Sequence, residues 1–342
     1  MKLRGGISGF GQVAAMGHLP GWRSRPEVDI VAVHEPLAER RHEALRLSEG
    51  VRVYEDLDLM LAGERLDFVD IASPPAYHAA SVISGLGAGV HVLVEKPLCL
   101  TIEDFDRLEA LARSKNRVLF CAHNWKYASP YVTANRLIGE NKLGHLTYAS
   151  IIRMRAQQAG GADWRLDPKI GGGGILVDHG WHAFYLLHWI FGGMLPLALS
   201  ARFSAAPHSR VEESADVAII FPRGAIGYCH LSWRAPLRRT STLIYGDRGA
   251  IEIEGDRLIF SARDESPVDL SIPDPPDDSY HAAWFSHLAA RFQSAIEGGI
   301  DSEPSRENLR EARIALDLTL ASQQSAKSSG ELVTVPIRPR LA

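Results

Sequence analysis

Three ionisable groups, Asp178, His179 and His182, fall within five residues in the stretch GGGGILVDHGWH, residues 171–182. Asp178 and His182 are four apart. On a helix that spacing puts both side chains on one face, with roughly 5–6 Å between β-carbons. A carboxylate beside an imidazole favours the imidazolium and orients the ring. An unperturbed pKa of about 6.5 suits histidine to take a proton near neutral pH. Oxidising a secondary alcohol needs such a group, because a hydroxyl proton must leave as hydride departs. His182 is therefore read as a general base and Asp178 as its partner. The glycines ahead of them let the backbone pass close to a ligand before the helix begins. His179, adjacent to Asp178, is assigned a substrate contact. Zinc is not assigned to Asp178, His179, His182 and His188, since His188 stands further along the helix and no cysteine is near. Alone, the segment fits a flexible loop feeding a structural helix, with His182 capped or buried, better than a catalytic pair, so the surrounding elements decide.

Short apolar runs alternate with amphipathic stretches through the first third: LRGGIS, VDIVAVHE, LDFVDIAS, VHVLVEK and RVLFCAH. Candidate helices lie between them near 12–22, 37–48, 76–88 and 102–114. Such alternation implies a parallel sheet covered on both faces, a doubly wound α/β fold. The first strand ends in SGFGQVAAMGH, where Gly9, Gly11 and Ala14 fit the dinucleotide fingerprint. The first glycine permits the turn, the second admits a pyrophosphate, and the third small residue lets helix and strand pack. Phe10, Gln12 and Val13 belong to that turn, and the helix start offers N–H groups to phosphates. Glu35, at the end of the second strand, is the acid expected on the adenosine ribose. A carboxylate there repels a 2′-phosphate, which favours NAD. Arg40 and Arg41 keep NADP open, although exposed positions on the next helix account for both. Gly5 and Gly6 weaken the first strand for no reason visible in the sequence. Lys96 closes a strand at the carboxyl edge of the sheet, where ligands of such folds collect. Pro97 restricts Lys96 to extended backbone.

Bulk properties exclude other classes. The net charge is −4 with both signs dispersed, so no basic stripe for nucleic acid is present. Hydrophobic content of 46% and charged content of 23% are those of a globular protein. Cys99, Cys121 and Cys229 have no metal-like spacing and read as reduced buried thiols. No window approaches the roughly 20 apolar residues of a membrane span, and MKLRGGISGFGQ lacks a signal-peptide core. A cytoplasmic location is expected.

SPPAYH at 73–78 and EKP at 95–97 each follow an apolar strand. In order, GFGQVA, VHEP, SPPAYH, EKPL, HNWKYASP, GHLTYASI, DWR, GGGGILVDHGWH and YGDRGAIEIEG run through nearly the whole chain. On that ordered set the chain resembles the Gfo/Idh/MocA oxidoreductases. The resemblance implies an NAD-binding Rossmann domain over 1–122. It also implies a substrate-binding and oligomerisation α/β domain over 123–342, with a large, mostly antiparallel open sheet. The last helices are allowed to pack back on the first domain. LTYASIIRMRA, LALSARFSA, DVAIIFP, AIGYCHLSW, TSTLIYG and AIEIEG supply strand-like runs for that sheet. AWFSHLAARFQSAIEGG and a segment from the N-cap candidate Ser305 to before Gly330 read as amphipathic helices. The acidic, proline-rich 262–279 reads as a surface loop.

By resemblance, Lys96 is catalytic, holding the substrate hydroxyl and the nicotinamide ribose. Ser73, Pro74, His78 and Glu95 would shape the cofactor site. Asn124, Trp164 and Arg165 would contact substrate beside Lys96, Asp178, His179 and His182. Trp233, Tyr280, His281 and Trp284 are weaker candidates that also suit a core. The implied activity is hydride transfer between NAD(P) and a secondary hydroxyl of a sugar, sugar derivative or cyclitol. An NAD-retaining glycosidase or lyase, working by transient oxidation and elimination, would use much the same residues. A non-catalytic NAD-binding sensor is the third reading, opposed by the joint presence of Lys96, Asp178 and His182. The implied partners are a small carbohydrate or cyclitol and a second copy of the chain, as homodimer or homotetramer, with no nucleic acid and no membrane.

Overall fold

Six parallel strands build the first sheet of the computed structural model, which describes residues 2–47, 50–156, 163–271 and 280–336. They are β1 (Leu3–Ser8), β2 (Val28–His34), β3 (Arg52–Tyr54), β4 (Phe68–Ile71), β5 (His91–Val94) and β6 (Leu119–Cys121). Their spatial order is β3-β2-β1-β4-β5-β6, with the winding direction reversing between β1 and β4. That reversal opens a crevice at the carboxyl ends of the strands, where ligands of this architecture bind. Strand β3 and the helix Leu57–Gly63 escape the apolar pattern, because a three-residue, part-exposed edge strand carries too little periodicity to read. The helix Ala38–Leu47 and the helices His78–Gly87 and Ile102–Lys115 lie where the pattern expects them. Asp56 caps the helix at Leu57 and Thr101 the helix at Ile102 through their side-chain oxygens.

Packing explains the weak first strand. The Phe68 ring covers Gly5, where an added Cβ would lie 2.3 Å from the ring tip. The pairing of β1 with β2 also slips between Gly5 and Gly6.

The second sheet has nine strands: β7 (Leu146–Ala156), β8 (Ala198–Ser204), β9 (Ser214–Ile220), β10 (Ile226–Ser232), β11 (Arg234–Gly246), β12 (Gly249–Glu254), β13 (Arg257–Ala262), β14 (Val268–Asp269) and β15 (Val333–Thr334). Their order is β14-β13-β12-β11-β7-β10-β9-β8-β15. Neighbours are antiparallel except β7 and β10, which run parallel at the centre. The helix Trp181–Ile190 covers one face: Leu187 lies 3.2 Å from where a Gly227 Cβ would sit, and Leu231 lies 3.4 Å from one at Gly180. The loop expected over 262–279 contains the short strand β14, and its residues 272–279 lie outside those described. The last long helix runs Glu303–Lys327, so its start falls before Ser305; Ser302 Oγ accepts the Ser305 N–H at 3.4 Å and takes the capping position.

Contacts divide the chain into two units. The described residues within 1–127 and 277–312 form one, and those within 128–276 and 313–342 the other. The first unit is therefore built from two stretches of the chain. Residues 280–312 return to the first unit because the helix Ala282–Gly298 completes its core. Phe292 is 1% exposed, with its ring 5.6 Å from Phe120, 5.7 Å from Phe68 and 6.4 Å from Trp22. Among the described residues, no helix is long and apolar enough to cross a membrane. Phe292→Ala should destabilise the first unit by about 3–5 kcal/mol, the usual cost of emptying a buried phenylalanine site. Urea unfolding measures this, and a loss below about 1 kcal/mol would show that the returning helix is peripheral.

Candidate active site

The loops after β1, β4, β5 and β6 share the carboxyl edge of the first sheet. Gly9 opens the β1 loop at φ +88°, and a Cβ there would lie 2.8 Å from the Ser73 nitrogen. Only glycine accepts both the left-handed backbone and the contact. Phe10 is fully buried, and its N–H donates to Glu35 Oε2 at 2.7 Å; the Leu37 N–H donates to Glu35 Oε1 at 2.9 Å. The acid expected on the ribose thus first braces the glycine turn from beneath. The Arg40 guanidinium lies over Gly11, 2.8 Å from where its Cβ would be. Arg41 is half-buried rather than exposed and donates to the Glu35 and Pro36 carbonyls. The Gln12 side chain accepts from the Tyr280 hydroxyl at 2.7 Å. Ser73 Oγ is buried with no hydrogen-bond partner among the described residues. A glycine cradle beside a buried, unsatisfied hydroxyl at the switch point fits a dinucleotide. Gly9 to Val13, Ser73 and Pro74 would line the phosphates and nicotinamide, and Arg40 the adenosine end.

His78 is fully buried. Its Nδ1 stands 2.6 Å from the Pro97 carbonyl and its Nε2 2.7 Å from the Ser73 carbonyl, so the ring lies between the SPPAYH loop and the EKP loop. Burial pushes its pKa down, leaving a neutral ring that donates to one carbonyl. Lys96, joined to Pro97 by a cis peptide bond, follows Glu95, whose Oε2 accepts the Lys96 N–H at 3.0 Å.

A residue absent from the sequence reading organises this edge. His18 sits at the end of a wide turn, Ala14–His18, where the Leu19 N–H reaches back to the Ala14 carbonyl. Such π-type turns recur at functional sites. His18 Nδ1 donates to Asp70 on β4 at 2.9 Å, and Nε2 donates to Glu95 Oε1 at 3.1 Å. Its ring stacks on Phe285 at 3.9 Å, and Trp22 Nε1 donates to Asp70 at 2.7 Å. Burial alone would lower the His18 pKa, but the two carboxylates outweigh it and hold it at about 10. Burial would raise Glu95; His18 and Lys96 instead hold it below the ordinary range.

Asn124 opens the turn after β6, and its Oδ1 is buried without a hydrogen-bond partner among the described residues, as a ligand-facing amide would be. Lys126 is buried, and its Nζ donates to Glu311 at 2.7 and 2.8 Å. His123 donates to the same carboxylate at 3.2 Å. Burial would raise Glu311, yet these partners hold it down at about 2.

In the second unit packing accounts for the last glycine of the run. A Cβ on Gly174 would lie 2.0 Å from the Glu212 carbonyl oxygen. The tight approach at Gly174 is to the chain's own backbone. Glu212 Oε1 then accepts the Gly174 and Leu176 N–H groups at 2.8 and 3.1 Å, capping the helix start. A π-type turn, Leu176–Gly180, precedes the helix Trp181–Ile190. Asp178 Oδ2 faces His179 Nε2 at 3.5 Å, Arg165 Nε at 3.7 Å and a terminal Arg155 nitrogen at 3.8 Å. Arg165 also meets Asp163 at 3.3 Å and stacks over Trp164 at 4.4 Å. The DWR turn and Asp178 are thus brought together. His182 is buried, and its Nδ1 lies 2.9 Å from the Tyr185 hydroxyl, so Tyr185, three residues on, can orient the imidazole. His188 directs Nδ1 at the Met194 carbonyl, 3.0 Å away. Trp233 and Trp284 sit in the second and first units, and Trp233 is buried.

A doubly wound dinucleotide-binding unit followed by a helix-faced, mostly antiparallel sheet defines a class of two-domain nicotinamide oxidoreductases. Residues 3–123 match the model described as an oxidoreductase family with NAD-binding Rossmann fold, and residues 131–252 match the GFO/IDH/MocA C-terminal domain. The chain belongs to the Gfo/Idh/MocA oxidoreductase family, and its cofactor is NAD. It is 25% identical over 280 residues to 1,5-anhydro-D-fructose reductase of Ensifer adhaerens, covering 79% of this chain and 81% of that one. It is 24% identical over 329 residues to D-apiose dehydrogenase of Paraburkholderia graminis, covering 90% and 84%. Among curated relatives the match spans 36% to 84% of the relative's length. The crystal structure of GenD2 from gentamicin A biosynthesis in complex with NAD superposes at a TM-score of 0.85 with 25% identity, over 98% of this chain and 97% of that one.

The His18 clamp has a pH signature. A folded pKa of about 10 lies above the unfolded 6.5, so its stabilisation is complete below pH 6.5 and is lost as pH rises through 10. Over that window stability should fall by up to about 1.4 kcal/mol per pH unit more in the native chain than in His18→Gln. At pH 6 the variant should be about 3–5 kcal/mol less stable, since it strands two buried carboxylates. Denaturant unfolding of both chains from pH 6 to 10 checks this, and parallel curves would refute the clamp.

Proposed function

We propose that the chain is an NAD-dependent dehydrogenase that oxidises a secondary hydroxyl of a sugar, sugar derivative or cyclitol. The observation that carries this reading is His182, buried at the start of a helix with its Nδ1 on the Tyr185 hydroxyl. With Nδ1–H donating to Tyr185, Nε2 is the nitrogen that receives a proton. Bound NAD supplies the hydride acceptor. His182 takes the hydroxyl proton as the carbon–hydrogen bond breaks, and Lys96 stabilises the negative charge growing on the oxygen. Asp178, held among arginines, positions the substrate and sets the field around the imidazole. Asn124, Trp164 and Arg165 supply hydroxyl and ring contacts, with Arg165 already stacked on Trp164. Relatives named as a 1,5-anhydro-D-fructose reductase and a D-apiose dehydrogenase support a sugar-like substrate.

The face of the second sheet opposite the helix Trp181–Ile190 supports self-association. Tyr148 and Tyr245 stack there at 5.8 Å, and Ile220 and Ile226 are exposed. A homodimer or homotetramer would bury that face; sedimentation of the protein as a monomer would overturn this.

Stoichiometric enzyme and NAD mixed with sugars, cyclitols and glycosides should form NADH, read by nicotinamide absorbance, from at least one class. Glycoside cleavage without net NADH would instead identify an NAD-retaining glycosidase, and neither signal would favour a sensor. His182→Ala should lower kcat/KM by about 10²- to 10⁴-fold. Tyr185→Phe should lower it less and displace the pH–rate profile, because it frees the imidazole tautomer. Full turnover by His182→Ala would remove the base assignment.

A further inference from the structure

The helix that opens at the glycine turn carries two further glycines, Gly17 and Gly21, outside the dinucleotide fingerprint. They are four apart and face the returning segment 280–285. A Cβ on Gly17 would lie 2.8 Å from the Tyr280 carbonyl oxygen, and one on Gly21 would lie 2.6 Å from the Phe285 ring. The pair lets the start of the helix Ala282–Gly298 lie directly against the cofactor-edge helix. His281 follows Tyr280 at φ +55°, left-handed backbone at a residue other than glycine. Such backbone persists where its surroundings hold it. The His281 ring stacks on Trp284 at 3.5 Å, which contributes to that hold. Tyr280 thus spans from Gly17, where its backbone rests, back to the glycine turn, where its hydroxyl donates to Gln12 Oε1 at 2.7 Å.

Gln12 directly follows Gly11, the glycine that admits the pyrophosphate. A carboxamide presents an acceptor oxygen on one side and two N–H donors on the other. Facing a phosphate, the donor side attracts and the acceptor side repels. The Tyr280 hydroxyl occupies the acceptor, so the donors turn the other way. We propose that Tyr280 is a positioning residue for the cofactor: it holds the Gln12 amide with its N–H groups toward the pyrophosphate of NAD and so slows NAD release. NAD binding alone is required for this role, not the substrate or the reaction. The returning segment then serves the first unit twice, closing its core through Phe292 and orienting a group of its dinucleotide turn through Tyr280.

The test is stopped-flow displacement of NADH from the full chain, read by nicotinamide fluorescence, with equilibrium titration of NADH, ADP-ribose and adenosine. Tyr280→Phe should release NADH about three- to tenfold faster and weaken NADH and ADP-ribose by the same factor, the loss of one hydrogen bond that orients a donor on a charged group. Adenosine, which carries no phosphate, should bind both chains alike. Gln12→Met removes the amide at similar length and should weaken NADH comparably. Adding Tyr280→Phe to Gln12→Met should change nothing further, since the two residues act as one unit. Gln12→Glu keeps an acceptor for Tyr280 but sets a carboxylate against the phosphates, and should weaken NADH about a hundredfold. Unchanged NADH release from Tyr280→Phe would overturn the proposal, as would an equal loss with adenosine or a Tyr280→Phe effect that persists beside Gln12→Met. If Tyr280→Phe folds poorly, the Gln12 variants carry the test, and NADH binding unchanged in both would overturn it. Faster release from Tyr280→Phe in a chain that reduces no NAD would uphold the role of Tyr280 and overturn the dehydrogenase reading.

Discussion

A protonated imidazole held between two buried carboxylates is the interaction on which the cofactor edge depends. His18 reaches Asp70 across 52 residues of chain and Glu95 across 77. It links the helix after the glycine turn to β4 and to the EKP loop after β5. Asp70 is fully buried and Glu95 partly so, and the imidazolium between them offsets the water both have given up. Glu95 in turn accepts the Lys96 N–H, so the backbone that presents Lys96 is set by His18 at one remove. His78 lies beside it, between the Ser73 and Pro97 carbonyls, and donates to one of them. Two histidines of opposite character therefore fix one edge, His18 charged between acids and His78 neutral between carbonyls.

The second unit solves the same problem with different groups. Glu212 caps the helix start that follows the glycines, and Gly174 is small because Glu212's own backbone passes against it. Both helices that carry candidate site residues open with a wide π-type turn, at Ala14–His18 and at Leu176–Gly180. Widening a helix by one residue exposes backbone groups and re-aims side chains, a cost borne where placement matters more than stability.

Much of the candidate site was legible because its signals are local. The glycine turn, Glu35, the EKP tripeptide and the D-x-x-x-H spacing each lie within a few residues of a strand end or a helix start. Glu35 shows the limit of that reading. Its position was clear, but its bonds to the Phe10 and Leu37 N–H groups required coordinates. Tyr185 had a weak trace in the three-residue spacing from His182. That trace identifies a face without saying what covers it.

By itself the sequence determined the doubly wound first unit, the strand-rich second unit, the family and the chemistry-bearing motifs. Periodicity and turn chemistry are set by neighbouring residues and survive without tertiary context. The tertiary structure alone decided that the helix Ala282–Gly298 completes the first core, that Lys126 is spent on Glu311, and that His18 becomes a buried cation. It also decided that Tyr280 reaches Gln12 across 268 residues of chain. Each of these depends on burial and on partners many tens of residues away, and the charge state of a buried group is a property of its surroundings rather than of its place in the chain.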